Sequence, residues 1–369
     1  MINDESSRLP ALGWDASWAA AFHAARGTIS ERQTELLSPA RVIAEHRERY
    51  VIGDESGERS AVLAGRLRHE ATSREALPSV GDWVAVSTSG DGVGVIRGVV
   101  PRRSAFVRKA AGDATSAQIV AANVDVALIA TALPGDLNAR RLERYLTLAW
   151  ESGAMPVVLL TKCDLVDDVA AALAFAVLAA PGVDVIAVSV VTGQGIDAVR
   201  DHLRPGRTGV LLGSSGVGKS TLVNALLGAV HQRTAEVRDD GRGKHTTTHR
   251  ELLTLGNGAL LIDTPGMREL QLWSADGGLG STFADIEELG LACRFRDCEH
   301  AGEPGCAVVD AVSRSLLEPE RLAHWHRLKR ELAFLERKQD ARATAEARDR
   351  LRALMRGVRV HIRNKRGGA

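Results

Sequence analysis

Residues 213–220 read Gly-Ser-Ser-Gly-Val-Gly-Lys-Ser, directly after the apolar run Val210-Leu211-Leu212 and running into the helix-forming stretch Lys219–Leu227. Few eight-residue patterns limit a fold so tightly. Glycines let the backbone curl so that successive N–H groups face one point at a helix N-terminus, which makes a cradle for phosphates. Strand, loop and helix must follow one another here, and the strand belongs in a sheet with helices against it. Lys219 can reach the β and γ phosphates of a bound nucleotide, and the Ser220 hydroxyl can ligate Mg²⁺. The predicted phosphate-binding set is Gly213, Ser214, Ser215, Gly216, Val217, Gly218, Lys219, Ser220 and Thr221.

A second apolar strand, Leu260-Leu261-Ile262, ends in Asp263-Thr264-Pro265-Gly266. An acid at that place can hold Mg²⁺ through its water shell, and the Gly266 amide can sense the γ phosphate. Alone such a tetrapeptide is a weak signal; downstream of a phosphate loop and after an apolar strand it is a strong one. Between the two lies Gly241-Arg242-Gly243-Lys244-His245-Thr246-Thr247-Thr248-His249. A nucleotide switch needs a threonine here to close on Mg²⁺, and Thr246 and Thr247 are the candidates. Glycines on both sides of Arg242 suit a loop that orders on the triphosphate. After Gly266 comes Met267, which cannot orient a water as the glutamine of many GTPases does. Slow intrinsic hydrolysis is therefore predicted, with His245 or a partner supplying the missing group.

Base choice is read from Thr161-Lys162-Cys163-Asp164 at the end of the run Val157–Leu160. The Asp164 carboxylate can accept two hydrogen bonds from the N1–H and N2–H₂ edge of guanine, which adenine does not offer. A buried carboxylate left unpaired would penalise ATP. Lys162 would lay its stem along the base, and the loop from Ser189 to Gly195 can pack on it. The usual pattern is Asn-Lys-x-Asp followed by Ser-Ala; here Thr161 and Val190 stand for Asn and Ala. Thr161 is expected to lose the amide that often ties the base loop to the phosphate loop. The base motifs precede the phosphate motifs, the reverse of ordinary GTPases. A sheet whose natural termini lie close together tolerates such circular permutation without moving its site.

A chain of 369 residues with 45% hydrophobic and 25% charged residues is a globular protein of two or three domains. The segmentation predicted is an extension (1–37, helical or loose), a small β-barrel (38–110, OB-like or SH3-like), a permuted α/β domain (111–285), a C-terminal helical domain (286–355) and a basic tail (356–369). Short β-rich runs separated by Gly/Asp/Ser turns point to the barrel. Unbroken apolar runs alternating with helical stretches point to a mostly parallel sheet. No secretory signal is seen, and the longest apolar run, Val169–Ala180, is too short to span a bilayer. A soluble, cytoplasmic, monomeric protein without membrane contact is expected.

Net charge is +1, yet from Arg321 onward there are 15 Lys+Arg against 5 Asp+Glu. Such a tail suits phosphate contacts or is a solvated end. The barrel region 38–108 has 11 Arg, no Lys and 9 acids, with Tyr50, Trp83 and Phe106 as its aromatics. That argues against a base-stacking platform there and leaves contacts to RNA phosphates and shape. Cys293, Cys298, His300 and Cys306 are spaced C-x₄-C-x-H-x₅-C. Three thiolates and an imidazole suit one tetrahedral Zn²⁺, and four protein ligands close the site to substrate, which favours a structural role.

Taken together, TKCD, GSSGVGKST, GKHTTTH, DTPGM and FRDCEH…GC make the chain resemble the ribosome small-subunit-dependent GTPase A family, from about residue 38 to about 355. The resemblance implies an N-terminal OB barrel, a permuted P-loop GTPase domain and a zinc-binding C-terminal domain. It also implies rRNA binding, GTP hydrolysis stimulated by the small ribosomal subunit, and a role for the GTP and GDP forms in late maturation of that subunit. His245 corresponds to the histidine proposed as catalytic in that family. A GTP-gated RNA-binding module, with occupancy rather than turnover as its output, is the alternative.

Overall fold

The computed structural model describes residues 8–29, 36–46, 49–71, 73–88, 92–109, 117–228, 250–263 and 278–337. At the N-terminal end a 3₁₀ turn, Pro10–Leu12, leads into α1 (Ala16–Ile29). The Asp15 carboxylate accepts the Trp18 N–H at 2.7 Å, satisfying one of the open amides at the start of this Ala-rich helix. Of the two forms left open by the sequence, this part of the extension takes the helical one.

Five strands follow: β1 (Ser38–His46), β2 (Arg49–Asp54), β3 (Gly57–Leu63), then α2 (Gly65–Glu70), β4 (Trp83–Thr88) and β5 (Gly94–Val99). β1 pairs with β2 and β2 with β3, both antiparallel; β3 runs parallel to β5, β5 antiparallel to β4, and β4 returns to β1. That order closes the ring as an OB barrel. Alternation along β4 explains why α1 sits where it does. Val84 and Val86 point into the barrel with Val42, Ile52 and Ile96. Trp83 and Ala85 point outward and are covered by Trp18, Phe22 and Leu9.

A separate hairpin-like pair, β6 (Ala105–Lys109) and β7 (Ala117–Ala122), leads into the α/β region. Its elements are β8 (Val126–Ala132), α3 (Ala139–Ser152), β9 (Met155–Thr161), α4 (Val169–Ala179), β10 (Asp184–Val188), α5 (Ile196–His202), β11 (Thr208–Leu212), α6 (Lys219–Leu227), β12 (Glu251–Thr254) and β13 (Leu260–Asp263). The strands lie in the order β10-β9-β8-β11-β13-β12, all parallel except β12. Both faces are buried. Ile129, Val158, Leu160, Val210 and Ile262 pack on the α3 side. Leu128, Val157, Leu159, Leu211 and Leu261 pack on the α6 side. This two-sided burial is why the strands read as unbroken apolar runs. The apolar run from Val169 forms α4, which leaves Phe175, Val177 and Leu178 exposed. No described helix is long and apolar enough to cross a membrane.

One antiparallel bridge, Ala44↔Glu251, carries the sheet from β12 into β1, so barrel and α/β strands form a continuous eleven-stranded sheet. Arg41 reinforces this junction from inside. Its guanidinium, 2% exposed, donates to the carbonyls of Gly81, Leu12 and Asn123 and to Thr208 Oγ1 at 3.2, 2.5, 3.3 and 2.8 Å. Burial lowers its pKa to about 10, with Asp125 and Asp82 opposing the shift.

Beyond the α/β strands come α7 (Gly278–Thr282), α8 (Ala284–Gly290), α9 (Ala307–Ser313) and α10 (319–337). The stripe Trp325, Leu328, Leu332 and Leu335 on α10 is buried in the same core as α3, with Leu322 packed against it. An ionic knot fixes the contact. Arg321 donates to Glu143 at 2.8 Å and twice to Asp285 at 2.7 and 2.8 Å, His324 Nδ1 meets the other Glu143 oxygen, and Arg144 grips Glu331 with two bonds of 3.0 and 2.6 Å.

Candidate functional site

The motifs of residues 161–164, 189–195, 213–221 and 263 all stand at the carboxyl ends of parallel strands, namely β9, β10, β11 and β13. In open α/β sheets that edge is where ligands gather. The phosphate-loop pattern leaves β11 at Gly213, with φ of 137°; a Cβ there would meet the Ala130 carbonyl oxygen at 2.2 Å, so only glycine fits. Gly216 and Gly218 also have positive φ, 79° and 94°, and α6 opens at Lys219. Lys219 Nζ crosses the loop and donates to the carbonyls of Gly213 and Ser214 at 2.7 and 2.5 Å. Val217 is buried as the loop's anchor, Ser215, Gly216 and Thr221 are exposed, and Ser214, Gly218, Lys219 and Ser220 are half-buried. Asp263 ends β13, half-buried, across from Glu251 in the β12 ladder.

The base motif corrects one expectation. Thr161 is buried, and its hydroxyl donates to the Val217 carbonyl at 2.6 Å, with the Thr131 carbonyl at 3.3 Å as a secondary contact. The tie between base loop and phosphate loop, which an asparagine amide often supplies, is thus made by the threonine hydroxyl. The substitution shortens the side chain but leaves a donor at the right place. Lys162 takes a left-handed conformation (φ 57°), which turns the chain out of the strand into the short turn Cys163–Leu165. Asp164 is exposed on that turn, so any burial of its carboxylate has to come from a bound ligand and not from the fold.

Cys163 is buried, and its thiol donates to Gln194 Oε1 at 3.6 Å, joining the turn to the loop after β10. Burial, then the neighbouring Asp164, pushes that thiol above its ordinary pKa. The loop itself is closed by Ser189, fully buried, whose N–H bonds the Gln194 carbonyl at 3.0 Å and whose Oγ accepts the Thr192 N–H at 3.2 Å. His245, Thr246, Thr247 and Gly266, with Met267 and the tail 356–369, lie outside the described residues.

The second cluster is the thiolate–imidazole set. The ligand atoms of Cys293, Cys298, His300 and Cys306 all lie within 4.8 Å of one another. Cys293 and Cys306 sulfurs are 3.9 Å apart and stand 3.6 and 3.5 Å from His300 Nδ1. Tetrahedral arms of the length zinc makes to sulfur and nitrogen give edges of about 3.5–3.8 Å, so the set fits that ion. The backbone is bent to make it: His300 has φ of 60°, and Gly302 and Gly305 have 118° and 79°. Glu303 caps the bend by accepting the Glu299 and Ala301 amides at 2.9 and 2.8 Å; its own backbone amide first, then that of Glu299 and that of Ala301, hold its carboxyl down at about 2. Trp325 of α10 lies 5.4 Å from the His300 ring, so the cluster is seated on the helix that the ionic knot secures.

A family model described as RsgA GTPase matches residues 99–273. The small ribosomal subunit biogenesis GTPase RsgA of Opitutus terrae is 45% identical over 366 residues, covering 96% of this chain and 98% of its own. The chain belongs to the RsgA GTPase family. The crystal structure of YjeQ from Thermotoga maritima matches at a TM-score of 0.62 and 26% identity, over 81% of this chain and 99% of that one. YloQ, a circularly permuted GTPase, matches at a TM-score of 0.57 and 24% identity over 82% and 98%, which speaks for the fold alone.

Two site residues escape a reading of the sequence. Arg141, in the first turn of α3, donates to Ser214 Oγ at 3.0 Å and is held by Asp136 through a 2.7 Å ion pair and a 3.0 Å bond to its carbonyl. Asp136 in turn receives the Ala132 N–H and the Thr131 hydroxyl at 3.4 and 3.3 Å. Asn138, which caps α3 by accepting the Arg141 N–H at 3.1 Å, is the one local signal that fixes where this arginine falls. Nothing in the sequence links Arg141 to a serine 73 residues on.

Proposed function

We propose that this protein binds GTP and hydrolyses it in step with late maturation of the small ribosomal subunit. On this reading it holds the subunit and its rRNA in the GTP form and leaves after hydrolysis. The observation that carries it is the convergence of base-reading and phosphate-binding motifs on one sheet edge, with Thr161 bonded across to Val217. The relative from Opitutus terrae, named for subunit biogenesis, supplies the partner. Asp164 accepts the guanine N1–H and N2–H₂, Lys162 lies along the base, and Cys163 and Ser189 shape the loops beneath it. The amides of residues 213–221 and Lys219 take the phosphates, their charge offset by a helix N-terminus. Ser220 and Asp263 are hard oxygen donors suited to hold Mg²⁺, with Thr246 or Thr247 joining them, and Gly266 senses the γ phosphate. Bound there, Mg²⁺ would offset charge on the β and γ oxygens.

His245 orients the attacking water, in the place a glutamine takes in other GTPases. Cys293, Cys298, His300 and Cys306 hold one structural zinc. On the same reading the protein is a cytoplasmic monomer, with the barrel 38–110, the zinc-bearing segment 286–355 and the tail 356–369 around the GTPase unit 111–285.

The test is hydrolysis of GTP and of ATP by the purified protein, with and without small subunits. Slow basal GTP turnover, strongly stimulated by subunits and absent with ATP, is expected. Binding of GTP without stimulation would remove the ribosome as partner. His245→Ala turning over at the wild-type rate in both conditions would remove the histidine.

A further inference from the structure

The amino ends of the same parallel strands form a second concavity. A cleft of about 730 Å³ is bounded by the N-terminal turn and α1 on one side and by the start of β8, β9 and β11 on the other. That volume is within the usual range for small-ligand sites. β11 separates it from the phosphate loop by five residues, about 16 Å of strand. It is therefore independent of the nucleotide site described above.

Its lining brings together what the barrel lacks. Tyr50, Trp83 and Phe106 are 5%, 0% and 2% exposed, so the barrel's aromatics present no face to a ligand. In the cleft, Trp150 on α3 is half-buried, packed in part against the main core, and its indole pairs with no other ring among the described residues. Facing the same space, Arg103 lies with its guanidinium carbon 3.8 Å above the Trp18 ring. Arg103 donates to Ser17 Oγ at 2.6 Å and to Asp15 at 3.4 Å, which holds the guanidinium over that ring. A guanidinium already stacked on an indole is a flat cationic platform, and its outer side is open: the Arg103 side chain is 43% exposed.

Arg207 stands at the rim, exposed, with no side-chain hydrogen bond or ion pair among the described residues. The two acids that line the cleft are engaged, Asp15 with the Trp18 N–H at 2.7 Å and Asp125 with the Thr208 N–H at 2.8 Å. Flat aromatic and guanidinium surfaces beside a free cation are what a heterocyclic base carrying a phosphate requires. Close approach builds the wall between them. A Cβ on Gly13 would meet the Gly206 carbonyl oxygen at 2.5 Å, so the N-terminal turn is pressed onto the loop that carries Arg207.

We infer that this cleft binds one nucleotide of an unpaired RNA segment, with the base between Trp150 and the Arg103 guanidinium and its phosphate on Arg207. The inference rests on the reading that the protein works on ribosomal RNA, and it names a site for one unpaired nucleotide of that RNA on this chain. A free mononucleotide has the same chemistry, and the experiment separates the two.

The full-length protein is mixed with a hexaribonucleotide containing 4-thiouridine, irradiated and digested, and the crosslinked peptides are identified. Crosslinks are expected in the peptides carrying Trp150 and Arg103. Arg207→Glu and Trp150→Leu should each lower that yield about tenfold, the worth of one stacked or charge-paired nucleotide, and leave basal GTP turnover unchanged. Crosslinks confined to other peptides, or a cleft yield unmoved by Arg207→Glu, overturn the proposal. Uridine monophosphate competing as well as the hexamer does overturns RNA as the source. Sedimentation of the same variants with small subunits keeps the two readings apart. Wild-type protein that does not co-sediment sinks the ribosomal reading, whereas co-sedimentation without cleft crosslinks sinks the cleft alone. Trp150→Leu that loses its folded circular dichroism is set aside in favour of Arg207→Glu, whose side chain supports nothing.

Discussion

The two edges of the parallel strands make an instructive contrast. At the carboxyl edge the ligand surface is mostly backbone: glycines with positive φ, amides at the start of α6, and short loops tied by Thr161, Cys163 and Ser189. At the amino edge it is made of large side chains, Trp150, Arg103 and Arg207, supplied by segments far apart in the chain. A backbone cradle tolerates little substitution and leaves a contiguous sequence trace. A side-chain surface can be assembled from scattered residues and leaves none. The difference is one of how each edge spends its sequence, and it can be tested by damaging one edge at a time.

The largest effect is expected from Gly213→Ala. Its Cβ would collide with the Ala130 carbonyl, and the strained φ cannot relax without moving the loop. Equilibrium titration should show nucleotide affinity reduced at least about a hundredfold, with cleft crosslinking intact. Next comes Arg41→Met, which leaves four acceptors of the junction without their donor. Chemical denaturation should show a loss of about 3 kcal/mol, with nucleotide affinity changed less than about twofold in the folded protein. Equal damage to both edges in either variant would end the claim that they are separable.

Thr161→Val is expected to be milder. It removes the donor to Val217 while keeping the shape, so nucleotide affinity should fall about tenfold, and Thr161→Ser should restore it. Smallest is the effect at Cys163. Because burial raises its thiol pKa, alkylation by iodoacetamide should be slow at pH 8 and accelerate as pH rises past 9. Alkylation at pH 8 as fast as that of a free thiol would show the base turn to be looser than its bond to Gln194 implies.

How much of this could be read from the sequence follows the same division. The phosphate loop, the base motif and the Cys/His spacing are local, and each stands where its pattern puts it. Helix α6 begins and ends at the residues its apolar and glycine signals give, Lys219 and Leu227. Strand β8 begins only at Val126, although Val124 before it is apolar, because Asn123, with φ of 54°, and Asp125 make the turn out of β7. An apolar run does not say where its hydrogen-bond partner starts. Strand β12, with two apolar residues in a row, has too short a run to announce itself. The bonds Arg141 to Ser214, Arg41 to Thr208 and Arg321 to Glu143 join residues 73, 167 and 178 positions apart. Such pairs are set by how elements pack, and one arginine in a sequence rich in them carries no mark of its partner.

The single bridge Ala44↔Glu251 has a further consequence. A twisted open sheet normally presents two flanks of unpaired amides and carbonyls, each a template for a foreign strand. Here the flank beyond β12 passes into β1, and β1 belongs to a ring that closes on itself through β4. The barrel therefore acts as a plug on that side. Among the described strands of this sheet, the flank left open is β10, five residues long, preceded by Pro181-Gly182 and opening on the exposed Asp184. Cutting the barrel away would uncover β12, and the remaining α/β unit would then be the more adhesive molecule.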